Sequence, residues 1–282
     1  MKRVLLIGGS GRLGTAIRRR WSDCEIVAPS RGELDIERSA QLCDAIDAVR
    51  PDALINAAAF HDVDRCEEEP ERALEVNALA VGRAGRLARD RDILFVTIST
   101  DYVFDGTTGT PYTENDAPHP LSIYGLSKLA GEYLVERLHA RTFVVRTCGV
   151  YGPGASSSRR PSLIEHVLSQ SPGGAPIRVV GDVVASPTFA GDLADALRRL
   201  IESEAYGLYH AADVGPVSWY DFARDAARQA GLELAIEPIP AQEWKARALR
   251  PRFSALENAK LAGLGIAMPS WRAGIAAYLG LR

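Results

Sequence analysis

Tyr124 and Lys128 stand four residues apart in Tyr124-Gly125-Leu126-Ser127-Lys128, a spacing that puts a phenol and an ammonium on one face of a helix. A free phenol has a pKa near ~10 and is a poor acid–base group at neutral pH, but an adjacent ammonium stabilises its phenolate and brings it toward a useful range. The lysine is conspicuous in itself. The chain has only four (Lys2, Lys128, Lys245 and Lys260) among its 33 Lys and Arg residues. Compositional bias accounts for the arginines, whereas Lys128 keeps a compact ammonium where arginine would present a rigid fork.

A second group of residues points to a nucleotide. Val4-Leu5-Leu6-Ile7 runs into Gly8-Gly9-Ser10-Gly11-Arg12-Leu13-Gly14, which fits both a GxGxxG and a GxxGxxG register. Glycines there permit a tight turn and let the backbone approach a pyrophosphate, while the following helix N-terminus supplies partial positive charge. Gly8, Gly11, Arg12, Leu13 and Gly14 are the expected cofactor contacts. The second strand ends in Pro29-Ser30-Arg31, a hydroxyl and a guanidinium where an acid would hold the ribose diol of NAD. Ser30 and Arg31, with Arg12 as a second cation, favour NADPH. NADH stays open, because Glu33 and Asp35 would repel a phosphate if they pointed inward.

Ser99 and Thr100 follow an apolar run, at the strand end where open α/β sheets bind ligands, so a hydroxyl there can orient a carbonyl for reduction. Asn77 shares a helical face with Ala73, Leu74, Ala80, Val81 and Ala84, and a buried Asn needs partners: either bonding within the fold or a place in a proton relay. His61, just past Asn56-Ala57-Ala58-Ala59-Phe60, is placed to face the pocket. Glu67-Glu68-Glu69-Pro70 reads as a solvated turn leading a helix, and Asp101 and Asp105 as parts of a structured loop.

The elements that must position these groups follow from period. Apolar strands are expected at Val4 to Ile7, Glu25 to Ala28, Ala53 to Ala57, Ile93 to Ile98 and Thr142 to Arg146. Helices are expected at Leu13 to Trp21, Ser39 to Val49, Glu71 to Asp90 and Ser127 to Leu138. Strictly apolar strands alternating with helices imply a parallel sheet buried on both faces, an α/β, Rossmann-type doubly wound fold. After Tyr151 the pattern loosens. Gly152 to Pro161 and Pro172 to Pro176 read as loops, helices are expected at Ala190 to Ser203 and Trp219 to Ala230, and strands at Ile177 to Val180 and Leu208 to Ala211. Residues 1–150 with about 187–213 are the expected dinucleotide-binding domain. Residues about 151–186 with 214–282 form a smaller, discontinuous α/β substrate domain.

A net charge of −3 gives no broad electrostatic footprint for nucleic acid or an acidic membrane. No apolar run approaches the ~18 residues that span a bilayer. Cys24, Cys43, Cys66 and Cys148 show no CxxC spacing and no histidine pair, so free thiols in a reducing cytoplasm are expected and no metal.

With the glycine loop, Asn56-Ala57-Ala58-Ala59, Ser99 to Gly106 and YxxxK in that order, the chain resembles the extended short-chain dehydrogenases/reductases, and more narrowly the dTDP-4-dehydrorhamnose reductases. Leu34-Asp35-Ile36, Val76-Asn77-Ala78, Leu129-Ala130-Gly131-Glu132, Ser186-Pro187-Thr188, Ser218-Trp219-Tyr220 and Arg250-Pro251 carry the likeness nearly end to end. The resemblance implies catalytic roles for Thr100, Tyr124 and Lys128. Hydride would pass to C4 of a nucleotide-linked, dTDP-type 4-keto-6-deoxyhexose while Tyr124 protonates the oxygen, Lys128 holds the nicotinamide ribose and Thr100 bonds the keto oxygen. It implies adenine contacts at Asp35 and Ile36, ribose contacts at Ala57, Ala58 and Ala59, and sugar-side contacts at His61, Tyr102, Val103, Phe104 and Gly149, with Asn77 a further candidate on the cofactor side. Arg250 would meet the diphosphate.

Two positions depart from the family pattern. Arg146-Thr147-Cys148-Gly149-Val150-Tyr151-Gly152 has glycine where a tryptophan is usual, and His61 replaces a threonine. Both alter a sugar-facing wall, which leaves the hexose undefined. A non-catalytic NADP-binding regulatory subunit and a sugar-nucleotide epimerase or dehydratase with bound NAD are the competing readings; a homodimer stays open.

Overall fold

The computed structural model describes residues 1–155 and 161–280, so the end of the expected loop from Gly152 to Pro161 falls partly outside the described residues. The first half of the chain runs β1 (Arg3–Ile7), α1 (Arg12–Arg20), β2 (Glu25–Val27), α2 (Ser39–Val49), β3 (Ala53–Asn56), α3 (Val63–Glu68), α4 (Pro70–Leu74), α5 (Ala80–Arg89), β4 (Leu94–Thr100), α6 (Ile123–Leu138) and β5 (Thr142–Thr147). The second runs α7 (Leu163–Leu168), β6 (Ile177–Val180), β7 (Val184–Ala185), α8 (Ala190–Glu202), β8 (Gly207–His210), β9 (Val217–Ser218), α9 (Trp219–Gln229), β10 (Ile236–Ile239), α10 (Ala259–Gly263) and α11 (Trp271–Tyr278).

Six strands form one parallel sheet in the order β2-β1-β3-β4-β5-β8. Its side chains alternate between two apolar layers. Val4, Leu6, Ile55, Val96 and Val145 pack with Ile17 of α1, with Trp21 just past its end, and with Leu193 and Leu197 of α8. Leu5, Ile7, Leu54, Phe95 and Val144 pack with Leu42 and Ile46 of α2, Val81 and Ala84 of α5, and Val135 of α6. Burial on both faces is why the central strands β1, β3, β4 and β5 read as largely apolar.

The segment expected as one helix from Glu71 to Asp90 is broken. Between α4 and α5, Glu75–Leu79 forms a π-helical turn, and Asn77 lies at its centre, 1% exposed. Single π turns interrupt α-helices most often at functional sites.

The chain leaves the sheet after β5 and returns once, through α8 and β8. Outside it, β6 and β10 pair in parallel and β7 and β9 antiparallel, against α7, α9 and α11. All four cysteines are free. Among the described residues, no helix is long and apolar enough to cross a membrane and no side-chain cluster could hold a metal ion.

Candidate active site

The turn leaving β1 is built on Gly8, which has φ +83° and whose added Cβ would lie 2.8 Å from the Ala57 carbonyl carbon and the Ala58 nitrogen. Only glycine admits both that conformation and that approach. The Gly11 N–H donates to Gly8 C=O at 3.0 Å, and α1 opens with no acidic residue in its first turn. First-turn N–H groups of a helix have no partner within it, so the loop presents donors and a positive pole to an anion. Arg12 lies beside them. One of its guanidinium nitrogens binds Glu165 of α7 at 2.8 Å, whereas its buried Nε has no partner among the described residues. A bare donor set, an orphaned guanidinium N–H and a backbone cradle fit a pyrophosphate.

At the end of β2 the Glu33 carboxylate is turned onto the Ser30 N–H at 2.8 Å. Arg31 is exposed and meets Glu37 at 3.3 Å and Asp35 at 4.0 Å. Asp35 also accepts the Glu37 N–H, and Ile36 is buried. Arg31 is thus the outward cation of this turn, with two carboxylates balancing it and the third spent on the backbone.

Thr100 ends β4 and is 5% exposed. Its hydroxyl donates to Asp101 Oδ1 at 3.1 Å and accepts the Tyr102 N–H at 3.2 Å, and it lies close enough to the Tyr124 phenol to favour its charged form. Ser122 caps α6 by accepting the Gly125 N–H, which sets Tyr124 in the first turn and Lys128 one turn further on. The Tyr102 and Tyr124 rings meet edge to face, 5.9 Å apart. Burial raises the Tyr124 pKa well above the ordinary phenol range and pushes Lys128 down to about 8 against the pull of Glu132. The expected lowering of the phenol does not appear in this arrangement, where loss of water dominates. Tyr124 therefore stays protonated at neutral pH, the form that can give a proton away.

Asn77 is committed to the protein. It accepts the Phe60 N–H at 2.8 Å and donates to Phe60 C=O at 2.9 Å and Ser127 Oγ at 3.0 Å. Ser127 in turn donates to Tyr124 C=O at 2.8 Å. The side chain acts as a brace between the loop that follows β3 and helix α6, with no donor left over for a relay. Ala57, whose N–H bonds Ile7 C=O at 2.9 Å, begins that loop beside Gly8. His61 ends it, where burial, Arg12 and Lys128 all lower its pKa, so it is a neutral imidazole near both the glycine loop and the lysine.

On the far side, Val103 and Phe104 are fully buried, Phe104 stacked on Tyr112 at 4.1 Å. Their side chains are core instead of the sugar-facing wall expected of them, because the turn after β4 folds them beneath the site. Tyr102 remains at its surface, near the Arg250 guanidinium. Arg250 grips Asp64 of α3 with both terminal nitrogens, at 3.1 and 3.2 Å, and Asp64 also accepts the Arg247 and Ala248 N–H groups. Gly149 has φ +50°, and a Cβ there would lie 2.7 Å from Trp219 Cη2. Trp219, at the start of α9, thus fills the space beside the β5 end.

Glu165 was foreshadowed by Ser162-x-x-Glu165, a capping box that starts α7. Glu132 could have been found as the residue four after Lys128. Asp64 carries no spacing signal toward Arg250.

A doubly wound sheet with a glycine turn on its first strand and a tyrosine–lysine helix beside a strand-end threonine is the architecture of the short-chain dehydrogenase/reductase class. The chain belongs to the RmlD substrate binding domain family, whose family model matches residues 1–281. It is 33% identical to the spore coat polysaccharide biosynthesis protein SpsK of Bacillus subtilis, over 99% of this chain and 97% of the relative. It is 30% identical to the dTDP-4-dehydrorhamnose reductase of Escherichia coli, over 96% of each. A crystal structure of the dTDP-4-dehydrorhamnose reductase of Bacillus anthracis in complex with NADP superposes with a TM-score of 0.95 at 31% identity, covering 100% of both chains.

Proposed function

We propose that the protein reduces the 4-keto group of a nucleotide-linked, dTDP-type 4-keto-6-deoxyhexose, with NADPH as reductant. The observation that carries this is the placement of Thr100 at the end of β4 beside the buried Tyr124 phenol in the first turn of α6, with Lys128 one turn beyond. Relatives named dTDP-4-dehydrorhamnose reductase over nearly the whole chain, and the NADP complex of one of them, support it.

Gly8, Gly11, Arg12, Leu13 and Gly14 would hold the pyrophosphate, Ser30 and Arg31 the 2′-phosphate, Asp35 and Ile36 the adenine, and Ala57, Ala58 and Ala59 the nicotinamide ribose with Lys128. The cofactor, when bound, supplies the hydride for C4. Tyr124 supplies the proton to the developing alkoxide, and its raised pKa keeps that proton in place until the oxygen becomes basic. Thr100 has one hydrogen, now directed at Asp101; to bond the keto oxygen it turns from that carboxylate. Tyr102 lies at the sugar's side, and Arg250 would meet the diphosphate while shared with Asp64. Residues 1–150 with about 187–213 act as the cofactor-binding part and the remainder as the substrate part. Four free thiols suit a reducing cytoplasm.

The test is NADPH oxidation with a panel of dTDP-4-keto-6-deoxyhexoses, with product stereochemistry read by NMR. Net oxidation with one of them is expected. Failure with all would sink the proposal, and sugar conversion without net oxidation would favour an epimerase or dehydratase. Light scattering of the same sample reports whether a homodimer forms.

A further inference from the structure

Directly beneath the row that carries Thr100 lies a second row of polar groups that the proposed reaction does not use. Ser99 and Arg146 are register partners on β4 and β5, as Thr100 and Thr147 are one step further. Glu132 of α6, one turn after Lys128, reaches down to both. Its carboxylate accepts Arg146 Nε at 3.0 and 3.2 Å, Arg146 Nη2 at 2.6 Å and the Ser99 hydroxyl. Lys128, Glu132 and Arg146 are 4%, 2% and 2% exposed.

We infer that Glu132 is a positioning residue of the active site, fixing the register of α6 on β4 and β5 and supplying, with Arg146, a buried dipole whose negative end keeps the Lys128 side chain an ammonium. This rests on Lys128 belonging to the reductase site proposed above. Geometry carries the inference. One carboxylate ties α6, which holds Tyr124 and Lys128, to β4, which holds Thr100, and to the neighbouring β5, at the step adjoining the chemistry. Its oxygens are spent on Arg146 and Ser99, so it acts on Lys128 through its field, which is long-ranged in so dry a setting.

The pair has a direction. Glu132 is the charge that opposes the burial of Lys128. The Arg146 guanidinium lies over the Phe104 ring at 5.2 Å and depresses His210, and it is not among the charges that act on Lys128. The other titratable groups around the site do not replace Glu132. Asp101 spends its oxygens on Thr100 and Cys148, at 3.1 Å each, and bonds Ser254. Tyr102, Tyr124, Cys66 and Cys148 have raised pKa values and are neutral. His61 is neutral too, and Glu136, a turn below Glu132, is itself raised by burial and by Glu132 and is not among the charges that act on Lys128.

Two substitutions with opposite signs test this. Glu132→Gln keeps the shape and removes the negative end, so the high-pH fall in kcat should move down by roughly one pH unit. Arg146→Met leaves Glu132 uncompensated beside Lys128 and should move it up. Shifts in the same direction, or none, would overturn the inference, because a purely structural brace would lower turnover or stability without an opposite pair of shifts. Either single variant leaves a buried charge unpaired, so the Glu132→Gln/Arg146→Met double, which removes both, is the control for folding. With four lysines in the chain, 15N-lysine NMR follows the Lys128 Nζ directly, without turnover. Its titration midpoint should fall in the double variant; an unchanged midpoint would overturn the inference even if the reductase reading stands. Absence of NADPH oxidation by the wild type would sink that reading and leave the NMR result interpretable.

Discussion

Asn77 holds both polar groups of the Phe60 peptide, the N–H at 2.8 Å and the C=O at 2.9 Å, in the manner of a neighbouring strand. Its remaining amide hydrogen goes to Ser127, on the turn of α6 between Tyr124 and Lys128. One side chain in a π-helical turn therefore joins the loop that follows β3 to the helix that carries the acid.

Replacing Asn77 by Leu leaves the Phe60 N–H, the Phe60 C=O and the Ser127 hydroxyl without their partner in a buried place. Each unmet group costs about 1–3 kcal/mol. Stability should drop by about 3 kcal/mol or more in denaturant unfolding, and NADPH affinity should drop with it. A variant within ~0.5 kcal/mol of wild type would show that the brace carries no strain-bearing role.

Tyr124→Phe removes one oxygen and its proton from the centre of the site. NADPH affinity should stay within about twofold, while turnover falls by about 10²–10⁴, the usual worth of a positioned acid. Fluorescence titration and steady-state rates separate the two. Unchanged turnover would remove Tyr124 from the chemistry.

Lys128 is buried at a cost in stability, and the sign of its pH dependence follows. Its pKa falls from the ordinary 10.5 to about 8 in the folded protein. Below pH 8 both states are protonated and the full cost of burying the charge is present. Between 8 and 10.5 the unfolded chain holds more protons, so stability rises with pH, by up to about 3 kcal/mol. Lys128→Met should be more stable than wild type at pH 7, flat across that window and without turnover. A variant that keeps the wild-type slope there would contradict this assignment.

Arg31 is the outward cation at the end of β2, and Glu33 is held off it by the Ser30 amide. Arg31→Ala should weaken NADPH by about tenfold, one charge-assisted hydrogen bond, and leave NADH nearly unaffected. Paired calorimetric titrations check this; equal losses for both cofactors would place the 2′-phosphate elsewhere.

The sheet was legible because a strand buried on both faces has no choice of side chain, and β1 to β5 follow the apolar runs closely. The glycine turn and the YxxxK helix were legible because backbone approach and helical spacing each leave a pattern. The π turn at Glu75–Leu79 leaves none, since its residues suit an α-helix equally well. Val103 and Phe104 sit past a strand end, where either face is open to them until the turn is formed. Arg250 and Asp64 meet across 186 positions, a distance at which spacing says nothing.

Gly149 and Trp219 share one space, and that makes their histories dependent on each other. Any side chain at position 149 meets the indole and a left-handed backbone, which costs a non-glycine residue about 1–2 kcal/mol by itself. In this chain a tryptophan at 149 would have to push the Trp219 indole out of the place it now fills, so what either position can become depends on how the other sits.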